Sequence, residues 1–317
     1  MTEYICPYKY LVMFQYWAFG LHINSEIEFP EMLPGIFEEA DVTIKMGKAP
    51  EKLDGDNVTR KVKVSASPDE YLLHVNKVAS YYVRNGKEII IDAEASADMN
   101  SIRLFMLSNA MAAIVHQRSS IPFHASGVLT KDGLVLFTGR SGIGKSTTAL
   151  ALMQRGYRLF TDDVCVLHYN EGINKIEAVP SYPMMKIWET TLDEIGTEEM
   201  ARSHKLRPEV PKYGFFQHEN FINHAVPVSK IFCLKVDNLK NDFSCKAINK
   251  FQAFNLLQQN SYRRGQVAMM QVADLHFNII SKLANQCQVY EITRPIDGQI
   301  DSFVNFLKPH LDDVAQT

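Results

Sequence analysis

The 317-residue sequence has few cysteines, five in all, and no C-x-x-C pair among Cys6, Cys165, Cys233, Cys245 and Cys287. Zinc sites draw their thiolates from close pairs, so this odd, scattered set reads as reduced thiols of a cytoplasmic protein. His168, His204, His218 and His224 form no H-x-x-x-H pair, which removes the helical zinc hydrolases. No G-x-S-x-G elbow occurs, which removes acyl transfer of the α/β-hydrolase kind. Basic excess is missing too: 33 Lys and Arg stand against 36 Asp and Glu, a net charge of −3. A global field for nucleic acid is thereby excluded. The most apolar stretch, Tyr10 to Ile23, is interrupted by Gln15, Gly20 and His22. It falls short of the ~20 apolar residues that a membrane span requires. Met1-Thr2-Glu3 carries no basic region ahead of it, so neither a signal peptide nor a membrane partner is expected.

What is present is the composition of a globular chain, 46% apolar and 22% charged. Such a chain buries a core and is not largely disordered. The first third alternates apolar and polar residues in short runs, at Asp41–Lys45, Tyr71–Val75 and Glu88–Asp92. Turn formers separate them, as at Asp54-Gly55-Asp56-Asn57 and Asn85-Gly86, which predicts a small β-rich module. Asp98 to Ser101 then offers a helix N-cap. Leu104, Leu107, Ala110, Met111 and Ile114 recur at helical steps, predicting one helix over Ile102 to His116. Further on, strands are expected over Ala125–Val128 and Leu134–Phe137, a helix over Ser146–Gln154, and another strand over Tyr157–Val166. Strand, loop, helix and strand make a βαβ-type unit. The division that follows is a β-rich module at 1–98 and an α/β domain at 99–317.

The loop of that unit reads Gly139-Arg140-Ser141-Gly142-Ile143-Gly144-Lys145-Ser146, which fits G-x-x-x-x-G-K-S. Its glycines permit the backbone angles that turn successive N–H groups toward one anion. The helix that follows adds unpaired N–H groups and the positive end of its dipole. In such a loop the lysine, Lys145, contacts the terminal phosphates, and Ser146 places its hydroxyl on Mg²⁺. Gly139 through Ser146, with Thr147, are therefore the expected nucleotide-binding residues.

Two carboxylates, Asp162-Asp163, follow the run Tyr157–Thr161 with apolar residues on both sides. Charges are seldom set between buried runs without a partner. The pair is suited to holding magnesium or to accepting a proton from a nucleophile. His124 stands just ahead of the phosphate-loop strand.

Together these residues resemble the core of the HPr kinase family: a histidine, a G-x-x-G-x-G-K-S loop, then R-G-x-R-L-x-x-D-D. Here they are His124, Gly139 to Ser146, and Arg155-Gly-Tyr-Arg-Leu-Phe-Thr-Asp-Asp163. The resemblance implies an α/β P-loop kinase domain of the HPr kinase (phosphoenolpyruvate-carboxykinase-like) type. It implies ATP and Mg²⁺ as cofactors and a phosphotransferase acting on a serine of a peptide or small protein. Asp163 is then the catalytic acid/base, His124, Asp162 and Lys145 assist it, and Ser146 and Asp162 are the metal residues. Related enzymes form homo-oligomers. The family's metal-binding Glu beyond the Asp pair has no motif counterpart in Pro180–Glu189, where Glu189 is the available carboxylate. Its C-terminal loop for the reverse, phosphorylase reaction has no counterpart either. The segment Tyr16 to Pro30 is similar to the opening of HPr-kinase-related proteins of lasso-peptide clusters, which resemble kinases for a C-terminal serine of a precursor peptide.

Two basic segments complete the candidates. Lys205 and Arg207, with Lys212, form one; Arg263 in Tyr262-Arg-Arg-Gly265 forms the other. Arginine suits the charge on a transferring phosphoryl group, which makes Arg207 and Arg263 candidate catalytic residues. Trp188 is expected as packing. The competing readings are an HPr-type protein kinase, a nucleotide-binding regulator that hydrolyses or senses ATP, and a small-molecule kinase.

Overall fold

A computed structural model describes residues 13–195, 204–207, 209–219, 221–239, 241–296 and 298–311. Cys6 lies outside them. The four cysteines within them, Cys165, Cys233, Cys245 and Cys287, are unpaired. Among the described residues no helix is long and apolar enough to cross a membrane.

Nine short strands share the first sheet: β1 Phe14–Ala18, β2 Leu21–Ser25, β3 Leu33–Pro34, β4 Val42–Met46, β5 Thr59–Arg60, β6 Val64–Ala66, β7 Glu70–Val75, β8 Ala79–Arg84 and β9 Glu88–Ala93. Their spatial order is β3-β1-β2-β4-β9-β8-β7-β6-β5. The apolar stretch around Tyr16 is thus a hairpin, turned at Phe19 and Gly20, both with positive φ. Asn85 and Gly86 turn β8 into β9 in the same way (φ 55° and 62°), the conformation that Asn-Gly reaches at least cost.

The predicted helix comes in three pieces: α1 Met99–Phe105, a π-helical turn Met106–Ala110, and α2 Met111–Gln117. Asp98 caps it as expected, accepting from the Ser101 N–H at 2.8 Å. The uninterrupted α-helix does not form, because outside partners take up carbonyls in the wide turn. Arg263 Nε donates to Ser108 O at 3.3 Å, and Gln266 Nε2 to Asn109 O at 3.1 Å. Residues 106–116 are buried without a break, so this helix has neighbours all round. It shares one core with the first sheet and with Val164, Tyr182, Met184, Tyr262 and Met269 from further along the chain.

The second sheet is built from β10 Ile121–Phe123, β11 Ala125–Thr130, β12 Gly133–Thr138, β13 Arg158–Thr161, β14 Cys165–Asn170, β15 Lys175–Pro180, and three strands introduced below. A separate three-stranded sheet joins β16 Met184–Trp188, β17 Lys205–Arg207 and β18 Val210–Phe216, with β18 in the middle. Then β19 Val226–Val236, β20 Ser244–Ala247 and β21 Gln288–Arg294 complete the second sheet, in the order β10-β14-β15-β19-β12-β11-β13 with β21 and β20 beyond β19. Helices cover both faces. In chain order they are α3 Lys145–Met153, α4 Glu189–Ile195, α5 Lys250–Gln259, α6 Arg264–Met269, α7 Ala273–Gln286 and α8 Ile300–Leu311.

The strand β12 shows why the layers form. Leu134 and Leu136 join the core that holds Ala253, Leu257, Ile279 and Leu283 of α5 and α7. Val135 and Phe137 join the opposite core, with Leu150, Leu152, Phe303 and Leu307 of α3 and α8. A continuous apolar run is what a strand buried on both faces requires. The fold is α/β, as the sequence predicts. A second predicted element is corrected: the strand over Tyr157–Val166 is broken at Asp162-Asp163. β13 pairs with β11, whereas β14 leaves to pair with β10 and β15. Asp163 takes φ 68°, and no strand continues through that conformation.

Candidate active site

The phosphate loop begins where β12 ends. β12 lies between antiparallel β11 and parallel β19, so its C-terminus is fixed on both sides. Gly139 leaves it at φ 143°, and a Cβ there would stand 2.8 Å from the Leu234 carbonyl oxygen, so only glycine fits. Gly142 and Gly144 also have positive φ, and α3 starts immediately at Lys145. The loop thus ends in the unpaired N–H groups of a helix, an anion cradle.

Lys145 is buried, and its Nζ donates to Gly139 O at 3.0 Å and Arg140 O at 3.1 Å. Burial pushes its ammonium down to about 8, against the pull of Asp163 and Asp162. It borders a cavity of about 680 Å³ together with Ser141, Gly142, Gly144, Ser146 and Thr147. Gly139, Arg140 and Ile143 do not line this cavity; Ile143 packs against the core behind the loop.

His124 and Asp163 face the same cavity. The two adjacent aspartates have separate tasks. Asp162 is 1% exposed, with Oδ1 accepting from Ser126 Oγ at 2.6 Å and Oδ2 from the Lys186 N–H at 2.8 Å. It does not line the cavity, and both its oxygens are engaged in tying β11, β13 and β16 together. Ser146 is left as the residue of the expected metal pair that faces the phosphate loop. Asp163 turns toward the cavity and accepts from Lys186 Nζ through Oδ2 at 2.6 Å. The buried Lys186 ammonium offsets the burial cost and holds the Asp163 carboxyl well below the usual carboxylate range. Lys186 is correspondingly raised by Asp163 despite its burial.

The His124 ring is held from three sides. Its Nδ1 lies 2.6 Å from the Asp163 carbonyl oxygen and 3.7 Å from Asp163 Oδ1. The Tyr262 ring packs on it with centroids 5.7 Å apart, and its own carbonyl accepts from Thr138 Oγ1 at the end of β12. Burial lowers the imidazole below its ordinary value, more than Asp163 raises it.

Two of the remaining predicted cations, Arg207 and Arg263, are elsewhere. Arg207 pairs with Glu209 at 3.5 Å and lies over the Phe105 ring; it does not border the cavity. Arg263 supports the π-turn and lies over Tyr262, one ring removed from His124. Of the first basic segment, Lys212 does line the cavity, with its ammonium 5.4 Å from the Trp188 ring centroid. Glu189 accepts from the Tyr213 hydroxyl at 3.2 Å. Trp188, at 42% exposure, borders the cavity as well.

Sequence reasoning missed Lys186 and Arg294, of which Arg294 lines the cavity where a Gly144 side chain would point. A signal for Lys186 existed: it is the one charge inside the apolar run Met184–Trp188.

Among the described residues no group of three or more His, Cys, Asp or Glu side chains is ready to hold a metal. Mg²⁺ is bound through few protein ligands plus phosphate oxygens, and the Ser146 hydroxyl, on the cavity wall, is the group that would hold it.

Residues 119–185 match the HPr Serine kinase C-terminal domain family. An HPr kinase/phosphorylase of Lactobacillus delbrueckii subsp. bulgaricus is 42% identical over 80 residues, 25% of this chain and 23% of its own length. One from Clostridium botulinum (strain Eklund 17B) is 55% identical over 72 residues, 23% of this chain and 22% of the relative. The chain spans less than a quarter of the length of these curated relatives. The solved Hpr(Ser) kinase/phosphatase from Coxiella burnetii is 17% identical, with a TM-score of 0.30, over 60% of this chain and 89% of that one.

Proposed function

We propose that this HPr-kinase-like chain is an ATP- and Mg²⁺-dependent phosphotransferase whose acceptor is a serine hydroxyl of a peptide or small protein. One observation carries the reading: Lys145 and Ser146 of the phosphate loop border the same cavity as Asp163 and His124. A regulator that merely senses nucleotide has no use for a half-buried carboxylate and an imidazole facing its phosphate loop.

In this reading the loop N–H groups and Lys145 hold the β- and γ-phosphates, and the Ser146 hydroxyl holds the metal. Mg²⁺, when bound, neutralises charge building on the β- and γ-oxygens. Asp163 orients the acceptor hydroxyl in line with the γ-phosphorus, and Asp162 keeps the turn that aims it. The work is positioning and charge stabilisation. The finer proposal is a C-terminal serine, as for a lasso precursor. Lys212 is then the cation for the terminal carboxylate, being the member of its segment that borders the cavity. The division at residue 98, with 1–98 as a β-rich module and 99–317 as the catalytic part, belongs to the same proposal, as does action in the cytoplasm.

The test is incubation with Mg-ATP and a peptide ending in serine, beside the same peptide amidated. A charge-assisted bond of about 1.5–3 kcal/mol predicts one to two decades in kcat/KM in favour of the free carboxylate. Mass spectrometry is expected to show phosphate on the serine. Equal rates remove the Lys212 contact; ATP hydrolysis with no phosphopeptide favours the regulator.

A further inference from the structure

We propose that Trp188 is the wall against which the residue before the acceptor serine packs, so that the protein selects an acceptor with a large apolar or aromatic side chain there. The inference rests on the phosphotransferase reading and names the acceptor sequence within it.

Trp188 ends β16, and its surroundings follow from the alternation of that strand. Met185 and Ile187 enter the core that holds Leu150 and Phe303. Lys186 and Trp188 therefore share the other face. On β18, Gly214 stands opposite Lys186 and Lys212 opposite Trp188. Residues directly opposed on antiparallel strands project from the same face of the sheet. That face thus carries Lys186, whose Nζ holds Asp163 at 2.6 Å, and then Trp188 and Lys212 where it borders the cavity. Trp188 is one same-face step, roughly 7 Å, along the strand from the lysine that holds Asp163. An extended acceptor with its serine at Asp163 has the preceding residue within that reach.

The ring is both open and held. It is 42% exposed, whereas the other tryptophan, Trp17, is 9% exposed and packs edge-on against Phe221. An open indole at a cavity is a large apolar surface without a cover. The Lys212 ammonium stands 5.4 Å from the ring centroid, a cation over the indole that fixes its orientation. Burial lowers that ammonium below its ordinary value, and the nearby Asp163 and Asp162 carboxylates pull it back. The Trp188–Lys212 pair therefore belongs to the Asp163 side of the site, where the acceptor enters.

The nucleoside has apolar surface of its own. Ile296, 57% exposed, and Ile300 line the cavity from the chain after β21, where the Arg294 guanidinium lies 3.6 Å from the position of a Gly144 Cβ. Trp188 is thereby left to the acceptor.

Two measurements test this. In the first, peptides that differ only in phenylalanine or alanine before a terminal serine are compared under Mg-ATP. Wild type is expected to favour the phenylalanine peptide about tenfold in kcat/KM, through KM, at the low end of what apolar contacts discriminate. In Trp188→Ala the preference is expected to shrink to within about twofold, and in Trp188→Phe to persist in part. In the second, acrylamide quenching of wild-type tryptophan fluorescence is followed with the same peptides ending in alanine, which bind without transfer. The phenylalanine peptide is expected to shield the Trp188 indole, and Mg-ADP alone to leave it open. No preference in wild type, or an undiminished preference in Trp188→Ala, overturns the proposal. Shielding by Mg-ADP but not by peptide overturns it as well and gives the ring to the nucleobase. If peptide shields the indole while no peptide takes phosphate, the phosphotransferase reading falls and Trp188 stands as a peptide wall. If neither occurs, both fall.

Discussion

Removing the Lys186 ammonium probes the structural centre of this site. At 2.6 Å and an effective dielectric near 20, its attraction to Asp163 is about 6 kcal/mol before desolvation. Much of that is consumed by burial, so the informative quantity is the cost of leaving one partner behind. For a buried pair this is about 3–5 kcal/mol. Asp163 retains 18% exposure and has His124 Nδ1 at 3.7 Å, which argues for the lower end, about 3 kcal/mol, in Lys186→Met. Pairing it with Asp163→Asn removes the stranded charge, and Asn tolerates the φ of 68° that this turn imposes. The double variant is expected to recover about 2 kcal/mol of the summed single losses. Urea denaturation followed by tryptophan fluorescence reads both halves, since Trp17 lies near the first core and Trp188 at the cavity. The folded-state carboxyl is depressed, so the pair's contribution is complete above the unfolded value near 4 and drains away below it. A Lys186→Met protein within about 0.5 kcal/mol of wild type, or single losses that simply add, refutes the buried pair.

Two further expectations concern titration. Lys145 sits at about 8 in the free protein, and a bound phosphate pulls it back up. Nucleotide affinity measured by calorimetry is therefore complete below pH 8 and weakens above it by up to about tenfold per unit, whereas Lys145→Met abolishes this slope; a flat wild-type profile to pH 9.5 contradicts it. His116, 2% exposed, is pushed down to about 4 by burial, against about 6.5 when unfolded. The unfolded chain thus binds the extra proton, so stability is full above pH 6.5 and about 3 kcal/mol is lost by pH 4. Urea midpoints for wild type and His116→Gln over that range check it, the variant being expected to lose less.

The phosphate loop was legible because local chemistry defines it: an apolar strand, glycines with required backbone angles, then a helix start. Asp162 and Asp163 were legible as a pair but not as individuals. A single residue with positive φ sends one carboxylate to Ser126 and the other to Lys186. That difference arises from contacts with β11 and β16, far away in sequence. The basic motifs misled for a similar reason. Arg207 and Arg263 are the right residue type for phosphate, yet Phe105 and the Ser108 carbonyl claim them. The π-turn that attracts Arg263 has no break signal of its own, because Leu107, Ala110 and Met111 keep the helical spacing through Ser108 and Asn109. The Tyr16 hairpin was hidden for another reason: it turns at Phe19-Gly20, and a phenylalanine at positive φ is no turn signal in a sequence.

The core that joins the first sheet to the buried helix also includes Val164, next in chain to Asp163, and Tyr262, the ring packed against His124. The first sheet is therefore masonry behind the turn that carries Asp163, and the two share one core instead of standing as separate cassettes. A recombination event that kept the phosphate loop and exchanged the sheet would hand on anion binding, which is local to residues 139–147. It would not hand on all of the aim, because Val164 and Tyr262, which back Asp163 and His124, pack in the core that the exchanged sheet shares.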